Sequence, residues 1–178
     1  MTRLHTPPVA EASGHAAQLF SAIKSAVGKV PNAYATVGGN SPVALEAALN
    51  LDAALKKSSL SAREIEVIRL SVSEAVACDY CLAAHTLMAK KNGLSREAIL
   101  GLRHGQPSGD ARNDALANFV RSLVTTRGTV ASEVLGAVKE AGFSDAQVVD
   151  ATLAIAGITF TNLVNRVNDT TLDFPAAD

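Results

Sequence analysis

Two cysteines three positions apart, with a histidine four residues after the second, are the residues of this sequence best suited to chemistry: Cys78-Asp-Tyr-Cys81-Leu-Ala-Ala-His85. The thiolate is the nucleophilic form of cysteine, and imidazole within reach of a thiol is an arrangement that generates it. A spacing of four puts Cys81 and His85 on one helix face. If Cys78 sits in the first turn of that helix, the partial positive charge of the helix N-terminus favours thiolate there as well. The two arguments pull apart. The dipole selects Cys78 as the lower-pKa thiol, the spacing to His85 selects Cys81, and the spacing is preferred here. Glu66 lies twelve residues before Cys78. A carboxylate raises a neighbouring thiol's pKa, so its expected role is to act on His85 or a water as proton acceptor and relay.

Taken singly, each of these residues has an ordinary reading: a CxxC pair is common, and His85 and Glu66 alone are unremarkable helix residues. The combination is what carries the chemistry. Glu74 is a rival relay, although its position four residues before Cys78 turns it away from the sulfur. Tyr80 reads as a packing or lid residue, Asp79 as a helix-start cap, and His5, His15 and His104 as surface. Zinc on Cys78, Cys81, His85 and Glu66 would be cramped, with three ligands on adjoining turns of one helix and no second ligand cluster. The reading is thiol redox chemistry with no cofactor and no resident metal.

The elements that position these groups follow from a length. Were residues 66 to 81 one straight helix, Glu66 and Cys81 would stand roughly 22 Å apart at 1.5 Å per residue. The chain must therefore reverse near Val76 to Asp79 and pack two helices against each other. Capping signals mark further helices. Ser41-Pro42 opens one running to about Lys57. Ser61 with Glu64, and Ser144 with Gln147, make capping boxes. Gly93 and Gly142 stand where left-handed stops are expected, and Ser95 starts a short helix ending near Gly101. Gln106 to Gly109 is a break. After it come helices at Asp110 to Arg127, Ala131 to Ala141, and Ser144 to about Asn168. Their apolar positions (Leu116, Phe119, Val120, Leu123; Val148, Val149, Leu153, Ile155, Ile158) recur at helical spacing and read as core or subunit contact.

Composition agrees with an all-α chain. Of 178 residues, 48% are apolar but only 4% aromatic, with no tryptophan, a balance that favours close helix packing over sheets. The net charge of −1 is well mixed, which argues against a nucleic-acid partner. Met1 to Gly14 lacks the apolar core of a signal peptide. The uncharged run Ala151 to Asn165 is shorter than the ~18 to 20 residues of a bilayer crossing. No membrane association and a cytoplasmic location are expected. Two cysteines in an intracellular chain fit redox work better than a structural staple.

Several segments together resemble the carboxymuconolactone decarboxylase/alkylhydroperoxidase D (AhpD) superfamily: Gly28-Lys-Val-Pro-Asn32, Ser41-Pro-Val-Ala-Leu-Glu46, Leu60-Ser-Ala-Arg-Glu-Ile-Glu66, Cys78 to His85, Asn162-Leu-Val-Asn-Arg-Val-Asn168 and Asp173-Phe-Pro175. The likeness is greatest to the peroxidase-related single-chain branch. It covers residues 28–175, leaving residues 1–27 as an N-terminal extension with one helix. The resemblance implies an AhpD-like fold of paired antiparallel helices around the CxxC site, assembled as a homotrimer or homohexamer. It implies reduction of hydroperoxides, organic or H2O2, with Cys81 attacking the peroxide, His85 and Glu66 assisting, and Cys78 resolving the sulfenic acid to a disulfide. An external dithiol, such as a lipoyl or thioredoxin-like protein, would then reduce that disulfide. Well-known AhpD proteins carry histidine directly before the second cysteine, where this chain has Tyr80. Two other readings stay open: a carboxymuconolactone-decarboxylase-type lyase, which does not need the CxxC, and a non-peroxidatic dithiol/disulfide redox protein.

Overall fold

In the computed structural model, which describes residues 2–177, the chain folds into nine α-helices with no strand among the described residues. They are α1 (Gly14–Val27), α2 (Asn32–Asn40), α3 (Pro42–Leu55), α4 (Ala62–Ala75), α5 (Asp79–Lys91), α6 (Arg96–His104), α7 (Ala111–Thr125), α8 (Ser132–Glu140) and α9 (Asp145–Asn168). Both anticipated capping boxes form. Ser61 and Glu64 close one at the start of α4, and Ser144 and Gln147 close the other at the start of α9.

The organising element is α4, which packs against α5, α7, α9 and α6. Val67, Ile68, Leu70 and Val72 are fully buried there, and Leu116, Phe119, Val120, Ile155 and Ile158 close around them. Because α4 is enclosed on most sides, its polar residues Glu66, Ser71 and Ser73 are buried too. A second cluster forms where α1 meets α2 and α3, from Phe20, Ile23, Val37 and Leu45. Gly38 permits that contact, since a Cβ there would stand 2.5 Å from Leu45 Cδ2.

The structure corrects several expectations. The short helix after Ser95 does not stop near Gly101. It continues to His104 and ends on left-handed Gly105, φ 69°. Gly101 is instead a close-approach position, where a Cβ would lie 2.7 Å from the Pro107 carbonyl oxygen. Of the positions read as core or subunit contact, Leu123 and Val148 are partly buried against the core, whereas Val149 and Leu153 are exposed, which leaves only the second reading for these two. The last helix is also longer than its uncharged run. At 24 residues, α9 is long and apolar enough to cross a membrane by length and composition. One of its faces nevertheless packs into the protein, and that face carries Asn162, Asn165 and Asn168 as well as Ala151, Ala154, Ile155 and Ile158.

Candidate active site

The required reversal lies between α4 and α5. The residues α4 leaves behind are Val76 and Ala77, and Ala77 adopts a left-handed conformation at φ 51°. For a residue with a Cβ that costs about 1–2 kcal/mol. Two contacts hold it: the Cys78 amide donates to the Ser73 carbonyl at 2.9 Å, and Arg166 of α9 donates to the carbonyls of Val76 and Ala77. The N-cap of α5 is Cys78 itself, and Asp79 is the first helical residue, not the cap. Cys78 thus sits at the positive end of the helix.

Packing α5 back on α4 brings Glu66 and His85 together. The His85 Nδ1 lies 2.8 Å from Glu66 Oε2, and the other carboxylate oxygen accepts from Arg69 Nη1 at 3.0 Å. Arg69 Nη2 continues the chain to Asp52 Oδ1 at 2.6 Å. Burial works to raise the Glu66 pKa, but the charges and hydrogen bonds of His85 and Arg69 outweigh it and hold the carboxyl below its ordinary value. An ionised carboxylate only accepts hydrogen bonds, so the proton of the contact belongs to His85 Nδ1 and Nε2 is left for chemistry. This changes the part expected of Glu66. A carboxylate held ionised orients and polarises the imidazole more readily than it takes up a proton.

Both cysteines are free thiols, Cys78 with 2% and Cys81 with 3% of its surface exposed. They form a coupled pair. Cys78 is pulled down by the hydrogen bond from Cys81 against the cost of burial, with the Arg166 charge assisting. Cys81 is pushed up by its bond to Cys78 and by burial, while hydrogen bonds from Asn165 and Thr161 oppose that rise. The Asn165 bond is explicit, with Nδ2 donating to Cys81 Sγ at 3.3 Å. Of the two thiols, Cys78 is the one pulled down, as the dipole argument has it. The donors that stabilise charge on Cys81 come from α9.

The remaining candidates lie outside this arrangement. Glu74 pairs with Arg103 Nε at 2.6 Å. His5, His15 and His104 are exposed, and His15 stands 3.7 Å from Glu46. The Tyr80 hydroxyl is committed twice, accepting from the Ala33 amide at 3.2 Å and donating to Asp173 Oδ1 at 2.7 Å. It ties the dithiol helix to the C-terminal tail and is not free to relay protons. Sequence reasoning passed over Arg69, Asp52, Asn162, Asn165 and Arg166. The signal available was an Asn-x-x-Asn-Arg run inside an otherwise apolar helix, where polar residues need a purpose.

Comparison with known proteins bears on the fold that carries these residues. Residues 42–117, which contain Glu66, Cys78, Cys81 and His85, match the carboxymuconolactone decarboxylase family. Solved structures agree on the AhpD-like fold. An alkylhydroperoxidase AhpD core protein from Ralstonia eutropha JMP134, an uncharacterized peroxidase-related protein, superposes with a TM-score of 0.83 at 21% identity, over 97% of this chain and 92% of that one. A peroxidase-related protein from Silicibacter sp. TM1040 gives 0.77 at 22% identity, over 96% and 94%. The debrominase Bmp8, as an alanine variant in complex with 2,3,4-tribromopyrrole, gives 0.81 at 18% identity, over 97% and 93%. Similar folds thus occur in proteins described as peroxidase-related and in a debrominase, and no curated protein matches the sequence.

Proposed function

We propose that this AhpD-like chain is a thiol-dependent peroxidase that reduces hydroperoxides, organic or H2O2, through a Cys78/Cys81 dithiol–disulfide cycle. The observation that carries the reading is the convergence of two reduced, buried thiols with a Glu66-oriented imidazole across the α4–α5 reversal. Neither a structural staple nor a packed core calls for that combination.

In this scheme His85 Nε2 takes the proton of Cys81, and the Cys81 thiolate attacks the terminal oxygen of the hydroperoxide. A sulfur–oxygen bond forms and the oxygen–oxygen bond breaks. Cys81 is oxidised to sulfenic acid, and the alkoxide, or hydroxide from H2O2, takes that proton back from Nε2 of the His85 imidazolium. Cys78 gives its proton to His85 Nε2 and attacks Cys81, expelling hydroxide that takes this proton and leaves as water. The resulting disulfide is reduced by an external dithiol, a lipoyl or thioredoxin-like protein, which leaves as a disulfide. Glu66 holds the His85 tautomer throughout.

Single-turnover oxidation of the prereduced protein by a slight excess of cumene hydroperoxide tests this reading. Rapid loss of both thiols with a mass decrease of about 2 Da is the expected result. Oxidation no faster than that of an ordinary free thiol would remove the peroxidase reading and leave the lyase and dithiol-exchange alternatives.

Self-association belongs to the same proposal. The outer face of α9 carries Val149, Leu153, Ala156, Leu163 and Val167, and with partly buried Phe160 at its edge they recur at alternating spacings of four and three, the pattern of a helix–helix seam. Val149, Leu163 and Val167 are 65%, 60% and 57% exposed. Sedimentation is expected to give a trimer or hexamer, and Leu163→Glu on this seam to shift it toward smaller species. A monomeric native chain would sink the idea.

A further inference from the structure

Polar groups sealed inside a protein are nearly always hydrogen-bonded, so the exceptions point to something that completes them. Among the described residues four buried side-chain atoms lack a partner, and two of them are carboxamide atoms of α9, Asn162 Nδ2 and Asn165 Oδ1, the second on the residue that bonds Cys81. The residues are 2% and 4% exposed. They stand three apart on α9, so they are neighbours on one helix face. The opposite end of each amide is engaged: Asn162 Oδ1 accepts from Ser73 Oγ at 3.2 Å, and Asn165 Nδ2 donates to Cys81 Sγ at 3.3 Å. The other two orphaned atoms, Ser71 Oγ and Thr86 Oγ1, are hydroxyls, which a rotation can turn toward a helix carbonyl. A carboxamide has no such escape, because satisfying one end leaves the other open.

The charge state of the sulfur decides which end of Asn165 is open. A thiolate accepts hydrogen bonds and donates none, so when Cys81 is ready to attack, Asn165 must face it with Nδ2. The unpartnered acceptor Oδ1 is then presented beside the nucleophile, with the donor Nδ2 of Asn162 one helical step away. A hydroperoxide headgroup has the matching inventory: one O–H donor on its terminal oxygen and lone pairs on both oxygens.

We propose that Asn162 and Asn165 form the recognition site for the –O–O–H group. Asn165 Oδ1 takes the peroxide O–H, Asn162 Nδ2 donates to a peroxide oxygen, and Asn165 Nδ2 holds Cys81 Sγ. The site reads the headgroup and is indifferent to the organic substituent. The inference rests on the peroxidase reading and adds to it two substrate-binding residues.

The test compares two reagents on the prereduced protein. Cumene hydroperoxide carries the O–O–H group; methyl methanethiosulfonate modifies thiolates and has no such donor. For Asn162→Leu, which does not touch the sulfur, the ratio of the peroxide rate to the thiosulfonate rate is expected to fall at least about tenfold, the loss of one hydrogen bond to the reacting group. Asn165→Leu should slow both reactions and the peroxide reaction more. If either variant fails to fold, as judged by thermal melting, the alanine variant at that position takes its place. An unchanged ratio in both positions, with wild type reacting rapidly with peroxide, overturns this inference alone. Wild type inert to peroxide but reactive with the thiosulfonate overturns the peroxidase reading, and this inference falls with it.

Discussion

Replacing Cys81 by serine is expected to abolish peroxide turnover, lowering it by roughly three orders of magnitude or more, whereas Cys78→Ser should permit one turnover and then arrest. The arrested protein should carry about 16 Da of added oxygen on Cys81 as sulfenic acid. The assignment is not the one that thiol acidity alone gives, since Cys78 is the sulfur pulled down and Cys81 the one pushed up. Two physical points decide it. A thiolate of higher pKa is intrinsically the better nucleophile, and one of lower pKa the better leaving group. Cys78, at the helix N-terminus with Arg166 assisting, is thus suited to depart when an external dithiol opens the disulfide. Cys81, faced by the Asn165 amide and the Thr161 hydroxyl, is suited to attack once its proton has passed to His85. Peptide mapping of the trapped adduct distinguishes the alternatives. Sulfenic acid accumulating on Cys78 in the Cys81→Ser variant would reverse the roles, and undiminished turnover in that variant would remove the dithiol cycle.

What could be read from the sequence was local in origin. The Ser61–Glu64 box is written within four residues, and the reversal before Cys78 follows from a helix length and the need to bring Glu66 close. The partners that tune the site could not be read this way, because they arrive from far along the chain. Asn165 reaches Cys81 across 84 residues, and Arg166 secures the turn at Ala77 from a similar separation. No spacing rule within one helix shows such contacts. Gly101 shows the converse failure. A glycine near a helix end reads as a stop, yet here it makes room for the Pro107 carbonyl, and the stop falls at Gly105. Glu66 was legible as a site candidate but not in its role, which depends on Arg69 and Asp52 as much as on His85.

That role leads to the second large effect. Glu66→Gln is expected to lower kcat/KM for hydroperoxide by about 10²–10³ while leaving both thiols in place. The amide keeps the volume of the carboxylate and can still accept one hydrogen bond, but it carries no charge to hold His85 Nδ1–H in place or to balance Arg69. A His85 that exchanges tautomers presents its Nε2 as a lone pair only part of the time. The same substitution should alter the response to acid. Because the folded-state pKa of Glu66 lies below its ordinary value of 4.5, the stability it contributes is present above that value and is lost as pH falls through the folded pKa. Urea midpoints measured from about pH 5 to pH 3 should therefore fall more steeply for the native chain than for Glu66→Gln. The variant should itself be less stable at neutral pH by about 1–3 kcal/mol, since Arg69 and His85 lose a buried charged partner. A variant with the native rate and a weakened fold would show that the Glu66–His85 pair serves architecture alone. A native acid profile with a lost rate would mean that the carboxylate is not held ionised by this network.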